Sequence, residues 1–461
     1  MSGGGTIYAL ATPPGRGGVA VIRISGEDAA AALVRLSGAA MPPPRRAVLR
    51  SLTGGDDRGR PELLDRCLAL WFPAPASFTG EDVVEFHLHG GRAVTAAVLA
   101  ELGRQPGLRP AEPGEFSRRA FVQGKLDLTA AEGLADLVAA ETAAQRRQAL
   151  AQLGGELGAL YERWRERLLR SLAHLEAVID FADEDLPAGV AEEVAREVAR
   201  LSDEIGRHLD DANRGERIRE GIEIAVVGPP NAGKSTLVNA LARREVAIVS
   251  PHPGTTRDLI EVPLDLGGYA VVLTDTAGLR DVAAAADAGS AERAIEGEGV
   301  RRARQRAEAA DLVIAVLDGA VWPETDGETV RLAEMREAVA VVSKCDLGRV
   351  PSAPSTTAGR PLLAVAATTG QGLDALRQAL TAVIEARFSA GDAPVLSRLR
   401  HRQALTEALA ALERVGRPDP SAIEEAAEEL RLAVGALGRI TGRVDVEALL
   451  DVIFRDFCIG K

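Results

Sequence analysis

Residues 222–236 read IEIAVVGPPNAGKST, an apolar run followed by a glycine-rich turn and then a lysine–serine–threonine triplet. The pattern G-x-x-x-x-G-K-[ST] after a strand is typical of the loop that binds nucleotide phosphates. Its backbone N–H groups close around phosphate oxygens, and the helix that follows adds partial positive charge at its N-terminus. We therefore expect Lys234 to reach the β- and γ-phosphates and Ser235 to hold Mg²⁺.

Three further stretches predict that the nucleotide is GTP. Residues 275–278 (DTAG) follow an apolar run and match the D-x-x-G switch that reaches Mg²⁺ and the γ-phosphate. Residues 254–258 (GTTRD) lie where a GTPase carries the threonine of its first switch, here Thr256. Residues 343–346 (SKCD) end another apolar run in the place of N-K-x-D. The aspartate of that motif accepts two hydrogen bonds from guanine, a pair that adenine cannot offer.

Two departures from the usual GTPase motifs concern the guanine pocket. Ser343 stands where asparagine is usual, and residues 366–368 (AAT) stand where S-A-K is usual. We expect both changes to loosen the pocket while Asp346 keeps its specificity. A hydrogen bond contributes about 1 kcal/mol net, so the affinity is expected to fall several-fold without a change of base.

Composition limits the class of protein. The chain has 461 residues, enough for about three domains. A net charge of −13 argues against a broad basic nucleic-acid surface. Three scattered cysteines predict neither a disulfide framework nor a zinc site, and favour a reducing, cytoplasmic compartment. Neither a signal peptide nor a membrane span is predicted.

The hydrophobic patterns predict a multidomain α/β protein. Residues 1–125 read as an N-terminal α+β domain, and residues 221–385 alternate strand and helix patterns as an inserted, Ras-like doubly wound domain does. Residues 126–220 and 386–461 read as one discontinuous helical domain, since insertion is tolerated where chain ends lie close together. An apolar repeat from Leu150 to Ile179 predicts one face of a single helix.

Four stretches outside the nucleotide motifs carry a resemblance. They are residues 11–18 (ATPPGRGG), 77–91 (SFTGEDVVEFHLHGG), 113–121 (PGEFSRRAF) and the last four residues, CIGK. Together with the GTPase motifs, they closely resemble the MnmE (TrmE) family of tRNA modification GTPases, from one end of the chain to the other. The C-terminal C-x-G-K beyond an internal GTPase domain is the most specific of these features.

The resemblance implies a function and partners. Members form a homodimer through a folate-binding-like N-terminal domain and work with the flavoprotein MnmG. Together they add an aminomethyl or carboxymethylaminomethyl group to C5 of the wobble uridine of tRNA. A tetrahydrofolate derivative, 5,10-methylene- or 5-formyl-tetrahydrofolate, supplies the one-carbon unit. The family's folate contacts match Arg23, Glu85, Lys125 and Lys461. Without the resemblance, the same charges read as ordinary surface ion pairs.

The resemblance also implies how GTP is hydrolysed. Leu279 stands where Ras-type switches place a glutamine, so another group must orient the attacking water. Glu296 aligns with the family's catalytic glutamate, and Glu298, two residues away, is the alternative. In the family, K⁺ takes the role of an arginine finger, and Asn231 matches its ligand. The candidate catalytic residues are Glu296, Arg280 and Cys458, although Cys458 reads equally well as a buried helix-end cysteine.

The nucleotide and ion site is therefore expected to comprise a phosphate loop, two switch segments and two guanine segments. Its residues are Asn231, Ala232, Gly233, Lys234, Ser235, Thr236, Ser250, Pro251, His252, Pro253, Gly254, Thr255, Thr256, Asp275, Thr276, Ala277, Gly278, Ser343, Lys344, Asp346, Ala366, Ala367 and Thr368. The expected metal ligands are Ser235 and Thr256 for Mg²⁺, and Asn231, Ser250, His252 and Thr255 for K⁺.

The residues also admit other interpretations. His87 and His89 form an H-x-H pair that zinc sites use, but hydrogen-bonding histidines are the more common outcome. A ribosome-assembly GTPase would carry similar nucleotide motifs, usually with a basic RNA-binding module. A scaffold GTPase that assembles through its helices would need no small-molecule substrate.

Overall fold

The computed structural model describes most of the chain. The described residues are 5–55, 60–180, 189–211, 213–244, 261–275, 305, 308–324, 326–327, 329–331, 338–350, 362–389, 394–416, 422–444, 450, 453–455, 457 and 460, without the side chain of Asp275. They form two compact units. One unit is Met1–Ala135, Gln152–Ala199 and Glu407–Lys461, and the other is Asp136–Ala151 and Arg200–Thr406. The domain bounds given above remain a prediction.

The first unit contains a six-stranded mixed sheet in the order β3-β4-β5-β2-β1-β6. All neighbouring strands are antiparallel except β1 and β6. The strands are β1 (Thr6–Leu10), β2 (Val19–Ser25), β3 (Val48–Gly55), β4 (Pro61–Phe72), β5 (Val83–His89) and β6 (Leu108–Pro110). Strand-like patterns at residues 6–11, 18–24, 66–72 and 83–89 predict β1, β2, β4 and β5, but no pattern predicts β3 or β6.

The two faces of this sheet differ because side chains alternate along each strand. Ile22 and Phe86 are fully buried on the face that is covered by α1 (Ala29–Ser37) and α2 (Arg92–Gly103). Burial of each contributes roughly 2–3 kcal/mol. Arg23 follows Ile22 and Glu85 precedes Phe86, so both point to the opposite face.

Helices follow the sheet along the chain. They are α3 (Glu115–Val122), α4 (Leu128–Ala139), α5 (Ala143–Leu153), α6 (Glu156–Asp180) and α7 (Val190–Leu209). The single helix predicted from Leu150 to Ile179 is wrong, because the chain breaks between α5 and α6. Gly155 has a φ of 84°, which a right-handed helix cannot contain, and Leu150 is 49% exposed. The apolar spacing continues across the break, so the pattern alone could not reveal it.

The second unit is built on another six-stranded sheet, in the order β12-β11-β10-β7-β9-β8. Its strands are parallel except for the β8–β9 hairpin. They are β7 (Ile222–Val227), β8 (Glu261–Leu266), β9 (Tyr269–Asp275), β10 (Leu312–Asp318), β11 (Ala338–Ser343) and β12 (Leu363–Ala364). Its helices include α8 (Arg214–Glu220), α9 (Lys234–Arg244) and α10 (Leu373–Phe388). A parallel sheet with helices between its strands confirms the predicted doubly wound domain.

The remaining helices are α11 (Leu399–Val415) and α12 (Ile423–Thr441). In the first unit α12 packs along α6, where Thr441 Oγ1 donates to Glu162 Oε1 at 2.6 Å. No helix within the described ranges is long and apolar enough to cross a membrane. The α+β domain, the helices and the doubly wound sheet together confirm the multidomain α/β class.

Candidate nucleotide-binding site

The phosphate loop lies at the carboxyl end of β7, as the sequence predicted. α9 begins at Lys234, whose side chain folds back over the loop. Its ammonium donates to the carbonyl oxygens of Gly228 at 2.9 Å and Pro229 at 2.8 Å, and the residue is only 6% exposed. These bonds hold the loop in a closed arc with the ammonium at its mouth, the position from which a lysine reaches phosphates.

Close packing of the loop explains one of its glycines. A Cβ at Gly228 would lie 2.3 Å from the carbonyl oxygen of Val316 on β10. Only glycine lets the loop pass this strand. Asn231 at the tip of the loop has a φ of 63°, in the left-handed region that asparagine tolerates better than most residues. The side chains of Asn231 and Ser235 are exposed and accessible to a ligand.

A cavity of about 270 Å³ lies beside the loop and joins three of the predicted segments. Such a volume is near the lower end for small-molecule sites, as suits a single purine base. The cavity is lined by residues from α9, from the chain after β11 and from the chain after β12. They include Thr236, Leu237, Lys344, Asp346, Ala367 and Thr368. The fold therefore brings the phosphate loop and the guanine segments together.

Ser343 lines the cavity, but its hydroxyl is bonded within the sheet. It is the last residue of β11, it is buried, and its hydroxyl donates to the carbonyl oxygen of Leu317 on β10 at 3.1 Å. Its polar atom is therefore bonded to the neighbouring strand. Lys344 then adopts a left-handed conformation, with φ of 54°, which turns the chain so that Asp346 lines the cavity.

Ala367 and Thr368, the last two residues of the segment 366–368, line the cavity. Ala366 is buried, and its N–H donates to the carbonyl oxygen of Gln371 at 2.9 Å, which closes a tight turn. Thr368 Oγ1 donates to Asp346 Oδ2 in a long hydrogen bond of 3.4 Å. The threonine thus contacts the carboxylate that we expect to read guanine, a contact that the sequence pattern did not indicate.

The switch segments are only partly described. Asp275 ends β9, in register with Val226 of β7, so the D-x-x-G segment begins beside the strand that leads into the phosphate loop. Several predicted residues lie outside the described residues, so their positions stay predictions. They are Ser250, Pro251, His252, Pro253, Gly254, Thr255, Thr256, Thr276, Ala277, Gly278, Arg280, Glu296, Glu298, Cys458 and Lys461, together with the side chain of Asp275.

A second cluster lies on the face of the first unit's sheet that is opposite α1 and α2. Arg23 Nε donates to Glu85 Oε1 at 2.9 Å. The Arg23 guanidinium lies 5.5 Å from the ring centre of Phe78 and 5.7 Å from that of Phe116, within the range of cation–π contacts. Lys125 lies beside Gly80, where a Cβ would be 3.6 Å from its Cγ. Two of the predicted folate contacts, Arg23 and Glu85, are therefore in direct contact.

Both histidines of the H-x-H pair are bonded to carboxylates. His87 Nε2 lies 3.3 Å from Glu85 Oε2, and His89 Nδ1 lies 2.8 Å from Asp65 Oδ1. Burial raises the pKa of Asp65, but hydrogen bonds from the backbone N–H and ring of His89 outweigh it and leave the pKa below its usual value. Across the described residues, no group of three or more metal-binding side chains occurs. The geometry favours hydrogen-bonding histidines over a zinc pair.

The chain matches known proteins along nearly its whole length. The family model of the TrmE N-terminus matches residues 6–125, and the model of the MnmE helical domain matches residues 128–458. The tRNA modification GTPase MnmE of Paramagnetospirillum magneticum is 57% identical and that of Rhodospirillum rubrum 56%, with 99% of both chains covered in each case. A human mitochondrial relative, 5-taurinomethyluridine-[tRNA] synthase subunit GTPB3, is 48% identical over 99% of this chain and 94% of its own.

Proposed function

The chain belongs to the MnmE family of tRNA modification GTPases, and we propose that it hydrolyses GTP within a complex that modifies C5 of the wobble uridine of tRNA. The observation that carries the GTP site is the cavity beside the phosphate loop, which Lys344, Asp346 and Thr368 line. A carboxylate there can accept hydrogen bonds from the N1–H and amino group of guanine. An adenine ring presents an acceptor and a C–H at those positions.

Two exposed side chains of the phosphate loop support a site for Mg²⁺ and K⁺, the ions that the family resemblance implies. Mg²⁺ would be held by Ser235 and Thr256, and the exposed Ser235 side chain stands in the first turn of α9. K⁺ would be held by Asn231, which is exposed at the tip of the loop, and by oxygen atoms of Ser250, His252 and Thr255. Bound there, the two cations offset the negative charge that develops on the phosphates. Lys234 adds its ammonium from the mouth of the loop.

We expect GTP hydrolysis to be at least about 10-fold faster in K⁺ than in Na⁺ at equal ionic strength, because the oxygen ligands must fit the larger ion. Phosphate release in KCl and NaCl measures this directly. Asn231→Ala should remove the preference, whereas the same change at Asn239, an exposed residue of α9, should keep it. Equal rates in the two salts for the unaltered protein would exclude K⁺ from the reaction.

The cluster of Arg23, Glu85, Phe78 and Phe116 has the chemistry to bind a folate. A tetrahydrofolate derivative presents N–H groups on its pterin edge and carboxylates on its glutamyl tail. Glu85 offers an acceptor for the first, and its orientation is fixed by Arg23 and His87. Phe78 is partly exposed beside the guanidinium and offers an aromatic surface. Lys125 and Lys461 would supply cations for the glutamate. When bound, the 5,10-methylene or 5-formyl form supplies the one-carbon unit.

Gly460, a described residue near the C-terminus, lies close to this cluster in the first unit. A Cβ at Gly460 would lie 2.2 Å from the carbonyl oxygen of Leu10, the last residue of β1. Leu10 pairs with Ile22, the neighbour of Arg23 on β2. A buried tail glycine against this strand supports the proposal that Lys461 and Cys458 belong to the folate site.

We expect Gly460→Ala to reduce tRNA modification strongly and to leave GTP hydrolysis within about twofold. The added methyl group would collide with the Leu10 carbonyl, and the φ of 98° at Gly460 disfavours any side chain. Mass spectrometry of wobble uridines, in cells that lack the native chain and carry the variant, measures the effect.

The matched control is Gly435→Ala on α12, where a Cβ would meet nothing within 4 Å. It should support full modification, because alanine is the better helix residue. Removal of residues 458–461 should repeat the Gly460→Ala result. Normal wobble-uridine modification with the truncated chain would contradict a role of the tail at the folate.

The proposal also includes partners and a compartment. We propose a homodimer that acts with the flavoprotein MnmG on tRNA in the cytoplasm. A net charge of −13 implies that a partner or a local patch supplies much of the positive field for tRNA. If cells without the chain kept their modified wobble uridines and instead accumulated incomplete ribosomal subunits, the ribosome-assembly alternative would replace this proposal.

A further inference from the structure

Asp318, the last residue of β10, has both of its carboxylate oxygens engaged. Oδ1 accepts a hydrogen bond from the backbone N–H of Ala320 at 2.9 Å. Oδ2 accepts one from the ammonium of Lys344, also at 2.9 Å. The two side chains are 13% and 32% exposed, so the ion pair is partly withdrawn from water. The hydrogen bond from Ala320 therefore fixes the orientation of the Asp318 carboxylate that pairs with the lysine.

Lys344 connects this pair to the base pocket. It lines the cavity and lies two residues before Asp346, in a left-handed conformation. Its ammonium is held at Asp318, so its four-carbon stem must span the distance from the backbone to the end of β10. Long basic side chains commonly cover a surface with their methylene groups while the charged end is paired.

Ser343, the residue before this lysine, is also held by β10. The Ser343 hydroxyl bonds to Leu317, so β10 holds residue 343 through a carbonyl oxygen and residue 344 through a carboxylate. Both contacts come from adjacent residues at one strand end, which lies opposite Ser343 in the parallel register. The end of β10 therefore holds both Ser343 and Lys344, which line this wall of the cavity.

We propose that Asp318 is a positioning residue of the nucleotide site, which acts through Lys344. Its ion pair holds the lysine stem along the wall of the base cavity and thereby raises the affinity for guanine nucleotides. The inference rests on the proposed guanine pocket and adds a determinant that lies outside the nucleotide motifs. It concerns binding and not the chemical step, so it predicts a change in KM without a change in kcat.

Asp318→Asn is expected to weaken GDP and GTP binding about 5-fold, and to leave kcat at saturating GTP within about twofold. The amide keeps an acceptor for Ala320 but loses the charge that holds the lysine. Asp265→Asn is the matched control, since Asp265 accepts from Gly268 N–H in the β8–β9 turn and does not line the cavity. The control should bind both nucleotides like the unaltered protein. Titration with a fluorescent GDP analogue gives the affinities.

A double-mutant cycle with Lys344→Met separates positioning from general destabilisation. Methionine keeps an apolar stem but cannot pair with a carboxylate. If Asp318 acts through the ammonium, Asp318→Asn should cost nothing further in the Lys344→Met background. Asp318→Ser, which can still accept from Ala320, should weaken binding as Asp318→Asn does, and it replaces that variant if the latter does not fold.

Two results would overturn the inference. One is unchanged GDP affinity in Asp318→Asn, even with a lowered melting temperature. The other is a full additional loss of affinity when Asp318→Asn is combined with Lys344→Met. A failure of the guanine pocket itself would look different, because Asp346→Asn would then bind GDP as well as the unaltered protein.

Discussion

Replacing Glu296 with alanine is expected to slow GTP hydrolysis by about 10²- to 10⁴-fold and to leave GTP affinity within about twofold. The residue after D-x-x-G is Leu279, which cannot hydrogen-bond to the attacking water. A group elsewhere must orient that water, and we propose that Glu296 does so through a second, bridging water. Single-turnover hydrolysis with enzyme in excess measures the chemical step, and a fluorescent GTP analogue measures binding.

Glu298→Ala is the matched control for this prediction, because it removes the same group two residues away. We expect it to hydrolyse GTP at close to the unaltered rate. If Glu298→Ala loses hydrolysis and Glu296→Ala keeps it, then the water-positioning role belongs to Glu298. If neither variant slows the reaction, the water is oriented by a group outside this segment.

The parts of the fold that the sequence predicts well are those whose signals are local. The strand, glycine-rich loop and helix at residues 222–244 follow from apolar periodicity and the motif, and the structure contains β7 and α9 there. β3 was missed because its sequence, VLRSLTGG, lacks the alternation of apolar and polar residues that marks a half-buried strand: Leu49 is apolar but exposed, and Arg50 is polar but half-buried. β6 has only three residues and forms by pairing with β1, which is distant in sequence.

The candidate site, too, could be predicted only where its sequence signals are local. Asp346 was identified from its motif, but the contacts that hold it and Lys344 come from Thr368 and Asp318, which are 22 and 26 residues away from their partners. The sequence does carry a signal for Asp318, because it is a polar residue at the end of a buried strand. In a parallel sheet such a residue lies beside the polar residues that end the neighbouring strand. Its pairing opposite Ser343 depends on the strand order, which the sequence does not state.

Asp346→Asn is expected to change the nucleotide preference from guanine to xanthine. The carboxylate accepts hydrogen bonds from N1–H and the 2-amino group of guanine, and each bond to a charged group contributes about 1.5–3 kcal/mol. The amide presents a donor in place of one acceptor, which suits the 2-oxo group of xanthine. GTP affinity should fall about 100-fold or more, and xanthosine triphosphate should become the better substrate. Competition titrations with GTP, xanthosine triphosphate and ATP measure the change.

Thr368→Val is the control that separates the effect of the Asp346 carboxylate from the effect of its neighbour. It removes the long hydrogen bond from Thr368 Oγ1 to Asp346 Oδ2 but keeps the carboxylate and the volume of the side chain. GTP affinity should then fall only several-fold, with guanine still preferred, because this long, exposed hydrogen bond contributes no more than about 1 kcal/mol. If Asp346→Asn kept its preference for GTP, this cavity would not read the base. If Thr368→Val alone changed the preference, recognition would depend on the threonine rather than on the carboxylate.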